Sequence, residues 1–500
     1  MTKTLLLCTI CVCCTTLIFA QKVFHSPINK TNISLRGAPV VLNQLIVDAP
    51  APGKVFLRFD GECVSSPGDK VYLAVSNTPN WGLEEKSVNV TAIDELHDHN
   101  SFCHTMVYDI PAGQHTFYAV AENIDVTWGS GMANIYGNLT AEWFPASSSG
   151  AFLQHQKIVR TNFNVEGPPV TLGTLTVNAP TSGKIVARFD GMSTTSSGDL
   201  VMFAVNDNQF WVSYDVSASV EIYEEGFENS CFSHVRVYDV PAGAYTFYAL
   251  TQNNYEVYGN GIASVFGHFT TAFYPEQAPV KVAHTPVNQL GTDIEGAPVN
   301  FGQITMEIPS SGQVMVRYSG TVVASFGDFL RMGITDSPSP NWNEHGASFG
   351  YSPASSDRNR NSFSHTRIFE VEPGTHHFNV FAENIEHFAG SGLAVTYADM
   401  VATFFPDNAV SALENMFADQ MKVVPNPATE ISYIVLPNRN ESEQISVKLV
   451  DRDGRILRQF VHVAGMGGQI PVDLSKEAPG WYAVQLQFQD QIVTKPIIKL

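Results

Sequence analysis

Tyr108-Asp-Ile-Pro-Ala-Gly-Gln-His-Thr-Phe-Tyr-Ala119 returns as Tyr238–Ala249 and, more loosely, as Phe369–Val380. Apolar and aromatic residues alternate with polar ones on either side of a Pro-Ala-Gly step, which predicts two strands joined by a tight turn. The echo extends in both directions. Gly37-Ala-Pro-Val40 matches Gly167-Pro-Pro-Val170 and Gly296-Ala-Pro-Val299, and Phe102-Cys-His104 matches Phe232-Ser-His234 and Phe363-Ser-His365. Each copy closes on an aromatic-Pro step, at Phe144-Pro145, Tyr274-Pro275 and Phe405-Pro406, so the period is 130 and 131 residues. Matches held in register over that length indicate a duplicated domain, not a short solenoid unit. Each copy carries seven or eight short alternating runs separated by Gly-Asp, Pro-Gly and Pro-Ala-Gly turns, with no stretch of helical period. The expected fold class is therefore all-β, with three tandem antiparallel β-sandwich repeats.

The late Gly-x-x-Thr-Phe-Tyr-Ala strand resembles, over that one strand, the jelly roll of C1q and tumour-necrosis-factor modules; an immunoglobulin-like strand order stays open. The repeats are assigned to residues 21–146, 147–276 and 277–407, joined by the brief linkers Ala146–Gly150 and Glu276–Val280. Short joints suggest an elongated rod of modules.

The chain of 500 residues is 44% hydrophobic, 15% charged and 11% aromatic, with net charge −20 from 48 acidic and 28 basic side chains. Such a surface repels phosphate backbones, so nucleic acid is not an expected partner. A basic start at Lys3, an apolar run from Leu5 to Phe19 and Ala20 before Gln21 describe a cleavable secretory leader over 1–20, which leaves no transmembrane segment in the mature chain. Four of the seven cysteines lie in that leader. Of the other three, Cys63 and Cys103 both fall in repeat 1, where the other copies have Ser193, Val322, Ser233 and Ser364, and they are the expected disulfide; Cys231 has no evident partner.

After a linker at 408–420 the pattern changes. Val423-Val-Pro-Asn-Pro-Ala428 opens a segment that continues through Ile445-Ser-Val-Lys-Leu-Val-Asp-Arg-Asp-Gly454, then Gly480-Trp-Tyr482, and ends in Thr494-Lys-Pro-Ile-Ile-Lys499-Leu. Its alternation and turns predict a small β-sandwich of about seven strands over 421–500. The segment resembles the type A C-terminal sorting domain of the type IX secretion system of Bacteroidetes. That resemblance implies export through the periplasm to the outer cell surface or the medium. The implied partners are the outer-membrane translocon, a sortase-like peptidase that removes the domain, and the surface lipopolysaccharide to which the cargo is joined. It also implies a recognition role for Pro425, Asn426, Pro427, Gly454, Gly480, Tyr482, Lys495 and Lys499.

No Gly-x-Ser-x-Gly elbow, His-Glu-x-x-His, phosphate-binding loop or Cys/His nucleophile pair is present, so the expectation is a protein that is not an enzyme. Asp69, Asp199 and Asp328 each follow a turn Gly, where a carboxylate can cap backbone amides or help hold calcium, the one cofactor the pattern admits. His104, His234 and His365 recur singly on a strand and suit hydrogen-bonded packing. The ligand-facing candidates are Trp81, Trp211 and Trp342 in Pro/Asn/Gly-rich loops, with Trp128 and Tyr258 nearby. An indole can stack on the apolar face of a sugar ring or on a host or matrix protein. The expected function is an adhesin or glycan- or protein-binding rod. The alternatives are a structural spacer and a secreted hydrolase of polysaccharide or peptide, whose paired carboxylates cannot be read from spacing alone.

Overall fold

The computed structural model describes residues 21–500 apart from 81–87, 92–98, 127–128, 147–149, 197, 211–217, 222–228, 257–258, 326, 341, 343–347, 352–359, 388–390, 408–420, 437–443, 452–454, 464–468 and 489–490. No described helix is long and apolar enough to cross a membrane. One compact unit is Phe19–Ala409, and a second contains Val410–Leu500.

Repeat 1 consists of β1 (Lys22–Ser34), β2 (Val40–Ala49), β3 (Gly53–Ser65), β4 (Asp69–Ser76), β5 (Val88–Thr91), β6 (His99–Ile110), β7 (Gly113–Val126) and β8 (Met132–Pro145). They form two antiparallel sheets, ordered β1-β8-β3-β6 and β2-β7-β4-β5. Repeat 2, from β9 (Phe152–Asn164) to β16 (Ile262–Pro275), and repeat 3, from β17 (Lys281–Asp293) to β24 (Leu393–Pro406), reproduce both orders. First and last strands are neighbours and most successive strands change sheet, an order that sets the immunoglobulin-like arrangement aside.

The two sheets differ in how their sequence is used. On β2 the buried residues Leu42, Leu45, Val47 and Ala49 are separated by exposed positions such as Ile46 and Asp48, as a strand with one wet face requires. On β3 burial is nearly continuous. Val55, Leu57, Phe59 and Cys63 enter the core of their own sandwich, whereas Phe56, Arg58 and Asp60 project from the opposite face and are buried too. What covers that second face is the other two repeats. One apolar cluster draws Val23, Phe56 and Phe144 from repeat 1, Val186, Val235 and Tyr274 from repeat 2, and Met315, Val401 and Phe405 from repeat 3.

The rod expected from the short linkers is therefore not formed. Linker length bounds how far modules can separate, but a sheet that is apolar on both faces is more stable against its neighbours, each buried Phe or Val side chain contributing about 1.5–3 kcal/mol. The three sandwiches surround an approximate threefold axis, with the β3 sheet of each turned inward.

The C-terminal unit contains β25 (Lys422–Val424), β26 (Ile431–Val435), β27 (Gln444–Asp451), β28 (Ile456–Val463), β29 (Gln469–Asp473), β30 (Gly480–Phe488) and β31 (Gln491–Lys499). Sheets β25-β26-β29 and β28-β27-β30-β31 enclose Ile434, Val447, Ile470, Val484, Leu486 and Ile497.

Candidate functional site

A buried assembly of charged and polar groups lies where the three repeats meet. Arg58, Arg188 and Arg317 occupy the same strand position in the three repeats and are all buried. Three buried carboxylates face them, but not symmetrically. Repeats 1 and 2 supply Asp60 and Asp190 two residues after the arginine, whereas repeat 3 has Ser319 there; the third acid is Glu142 of β8, where the other copies have Ala272 and Thr403. The charges balance across the copies, which ties each copy to its place in one chain.

Arg58 lies between Asp60 and Asp190, with Nε 3.0 Å from Asp60 Oδ2 and Nη1 2.7 Å from Asp190 Oδ2. Its Nη2 donates to Ser233 Oγ at 3.0 Å and also to Ser364 Oγ, so the guanidinium touches all three repeats. Thr105 Oγ1 donates to Asp190 at 3.0 Å, and its counterpart Thr366 donates to Asp60 at 2.6 Å. At the third seam the pair becomes Val235 and Ser319, and the charge is gone. Glu142 Oε1 is 2.7 Å from Arg317 Nη1 and 3.8 Å from Arg188 Nη1, while Tyr274 donates to its other oxygen at 2.9 Å. Burial disfavours the Glu142 carboxylate, but Arg317 and Arg188 outweigh it and hold the group below the usual range. The guanidinium carbons of Arg188 and Arg317 lie 5.3 and 5.4 Å from the Phe56 ring centre, adding cation–π contact. The network is closed off from solvent, and its geometry is that of an internal joint.

Two of the recurring histidines are joints as well. Nδ1 of His104 accepts the Val75 amide and Nδ1 of His234 the Val205 amide, each at 3.0 Å, tying the inner sheet to the outer one. Burial lowers the His234 pKa to about 3, so it stays neutral and able to accept.

The three turn aspartates are buried and engaged by protein donors. Asp69 Oδ1 accepts from Asn123 Nδ2 at 2.8 Å, and Oδ2 accepts from the Gly131 amide at 2.9 Å. Asp199 repeats this with Asn253 and Gly261, and Asp328 with Asn384 and Gly392. Gly131 has φ of +70°, a conformation that favours glycine and aims its N–H at the carboxylate. Each aspartate thus pins the glycine that leads into the last strand of its repeat. Among the described residues, no group of three or more His, Cys, Asp or Glu side chains is arranged to hold a metal ion.

The disulfide expected between Cys63 and Cys103 is not formed; both are thiols. Cys63 is opposite Asn100 and Cys103 is opposite Asp60 in the β3–β6 ladder. Cys63 therefore joins the sandwich core while Cys103 faces the axis, and two side chains on opposite faces of a sheet cannot be bridged.

Of the loop aromatics, Trp81, Trp211, Trp128 and Tyr258 lie outside the described residues. Trp342 is half-buried, with the Arg331 guanidinium carbon 5.6 Å from its ring centre. Its indole is therefore partly a packing surface. Sequence reasoning did not find a cleft of about 490 Å³ where repeats 2 and 3 join, lined by Lys184, Asp239, Tyr274, Glu276 and Lys281. Lys184, Asp239 and Tyr274 are neighbours within the sheet of repeat 2, and the chain running from Glu276 through Val282 into repeat 3 closes the cleft.

In the C-terminal unit the motif residues fasten the first segment to the last strand. Asn426 Nδ2 donates to the Pro496 carbonyl at 3.0 Å, and Asn426 Oδ1 accepts from the Ile498 amide at 2.9 Å. The peptide bonds preceding Pro425 and Pro427 are both cis, and Ser432 Oγ donates to the Pro425 carbonyl at 2.8 Å. Lys499 Nζ donates to the carbonyls of Leu474 and Glu477 at 2.6 and 2.5 Å, and Tyr482 donates to Ala478 at 2.6 Å. Gly480 pairs with Lys499, and Lys495 pairs with Val484 in the closing ladder; Gly454 lies outside the described residues. Residues 422–500 match the family model of the secretion system C-terminal sorting domain.

This segment is a type IX secretion sorting domain. It marks the chain for export to the cell surface or the medium by the type IX machinery.

No curated protein matches the chain. Among solved structures, peptide N-glycanase F, a glycosylasparaginase of Flavobacterium meningosepticum, is similar at 12% identity and TM-score 0.25, covering 52% of this chain and 98% of that one. The infectious bursal disease virus Gx strain structure is similar at 9% identity and TM-score 0.19, covering 77% and 78%. A β-glucuronidase from an uncultured Clostridium has 10% identity and TM-score 0.14; the match covers 39% of this chain and 34% of the enzyme's length. At such scores these likenesses carry no argument about activity.

Proposed function

We propose that the chain is a non-enzymatic binding protein of the cell exterior, an adhesin-like head of three jelly-roll sandwiches that engages a glycan or a host or matrix protein through its loops. The observation that supports this reading is where the convergent chemistry lies. Arg58, Arg188, Arg317, Asp60, Asp190, Glu142, His104 and His234 are buried and engaged between strands or between repeats, and the cleft beside repeat 2 is open to a ligand. Recurrence of the tryptophans in all three copies adds multivalency, since three weak contacts carried on one chain act together.

The test is binding of the exported protein to glycan arrays and matrix proteins, compared with a Trp81→Ala, Trp211→Ala, Trp342→Ala triple variant. Loss of at least tenfold in apparent affinity is expected. Unchanged binding removes the tryptophans from the account, and turnover of a polysaccharide or peptide substrate overturns the non-enzymatic reading.

A further inference from the structure

Each repeat sends one backbone N–H across the axis to a side chain of the next. Ser233 N donates to Ser362 Oγ at 3.0 Å, and Ser364 N donates to Ser101 Oγ at 3.2 Å. The third contact of the cycle joins the Cys103 backbone to the Cys231 thiol. At two seams the residues that meet are both serine; at the seam between repeats 1 and 2 both are cysteine. All six side chains line one crevice on the axis, too narrow to hold water. We propose that Cys103 and Cys231 are a disulfide-forming pair that cross-links repeat 1 to repeat 2 across the axis.

The contact already made supplies the geometry. A cysteine's Sγ lies about 3 Å from its own backbone nitrogen, so a Cys231 sulfur resting on the Cys103 amide is within a side-chain rotation of the Cys103 sulfur. Cys63 lies on the opposite face of the β3–β6 ladder from Cys103, three residues past the axis-facing Asp60.

The chemistry is thiol–disulfide exchange with a protein or small-molecule disulfide of the periplasm. One cysteine thiolate attacks the oxidant's S–S bond, and the second displaces the mixed disulfide. The two thiols lose two protons and two electrons in forming the new S–S bond, and the oxidant's disulfide takes them up and leaves as its two thiols. Both side chains are nearly sealed in the folded head, at 1% exposure for Cys103 and 4% for Cys231. Burial also pushes the Cys231 thiol up to about 12 and the Cys103 thiol well above its ordinary range. Oxidation therefore belongs to the interval before the repeats close, and the finished bond is shielded from reductant.

The experiment takes the full exported protein, prepared without reductant, unfolds and alkylates it with and without prior reduction, and maps its peptides by mass spectrometry. The expected result is a Cys103–Cys231 peptide pair that disappears on reduction, with Cys63 alkylated in both samples. Cys103→Ser and Cys231→Ser place the residue found at the equivalent seams, so both variants should fold, each with its remaining axis cysteine alkylated without reductant. Reduction in denaturant followed by refolding under reductant should lower the wild-type melting midpoint by about 5 °C and leave either variant unchanged. Full alkylation of Cys103 and Cys231 in unreduced wild type, or a cross-link through Cys63, overturns the proposal.

Discussion

Strands β2 and β3 belong to the same sandwich and are of similar length, yet only β2 alternates between buried and exposed. The outer sheet faces its own core on one side and water on the other. The inner sheet faces two cores, and that difference carries the architecture: alternation specifies a sandwich, and its failure on one sheet specifies what the sandwich packs against.

Substitutions on the two faces sharpen the comparison. Glu142→Gln leaves Arg188 and Arg317 without their shared carboxylate in a buried site, and should cost about 4–5 kcal/mol in denaturant unfolding. Phe56→Ala should cost about 3–4 kcal/mol through lost apolar contact and the cavity left on the axis. Ile46→Ala, at a position 51% exposed on the outer sheet, should stay within about 0.5 kcal/mol. Equal losses at Phe56 and Ile46 would erase the distinction between the faces.

Acid should act on the buried groups. Burial holds the folded His234 pKa down to about 3 and the folded His155 pKa down to about 4, below the ordinary histidine value of about 6.5, so below pH 6.5 the unfolded chain binds protons that the folded one refuses. Stability from these groups is complete above pH 6.5, declines as pH falls and levels off below the folded values. The Glu142 contribution adds to the decline: it is present above the ordinary carboxylate range and lost as pH falls through the lower folded value. His234→Ala should lose about 1–3 kcal/mol at pH 7 and show a shallower slope of unfolding midpoint between pH 6.5 and 4 than wild type. The smallest effect belongs to the exposed Lys54–Asp109 pair, where Asp109→Asn should change stability by less than about 0.5 kcal/mol.

Much of this was legible in the sequence, because it was local. The Pro-Ala-Gly turns, the Gly-Asp steps and the Asn426 and Lys499 motifs act within a hairpin or between strands of one sandwich, and alternation exposes them. The axis was harder to read because its partners are far apart in sequence. Arg58 and Asp190, or Glu142 and Arg317, look like unrelated charges until the copies are wound around one another. A signal was present: an arginine recurs at the same mid-strand position in all three copies, where a lone charge inside an apolar strand needs a partner. The cysteines show the same lesson, since pairing within a repeat was the shorter inference and strand parity forbids it.

The central claim is that three repeats form one body around a shared axis. Small-angle X-ray scattering of residues 21–409 tests it directly. Packing as a single compact unit predicts a radius of gyration of about 21 Å. Sandwiches with strands about 43 Å long, strung end to end, would give about 35 Å and contradict the account.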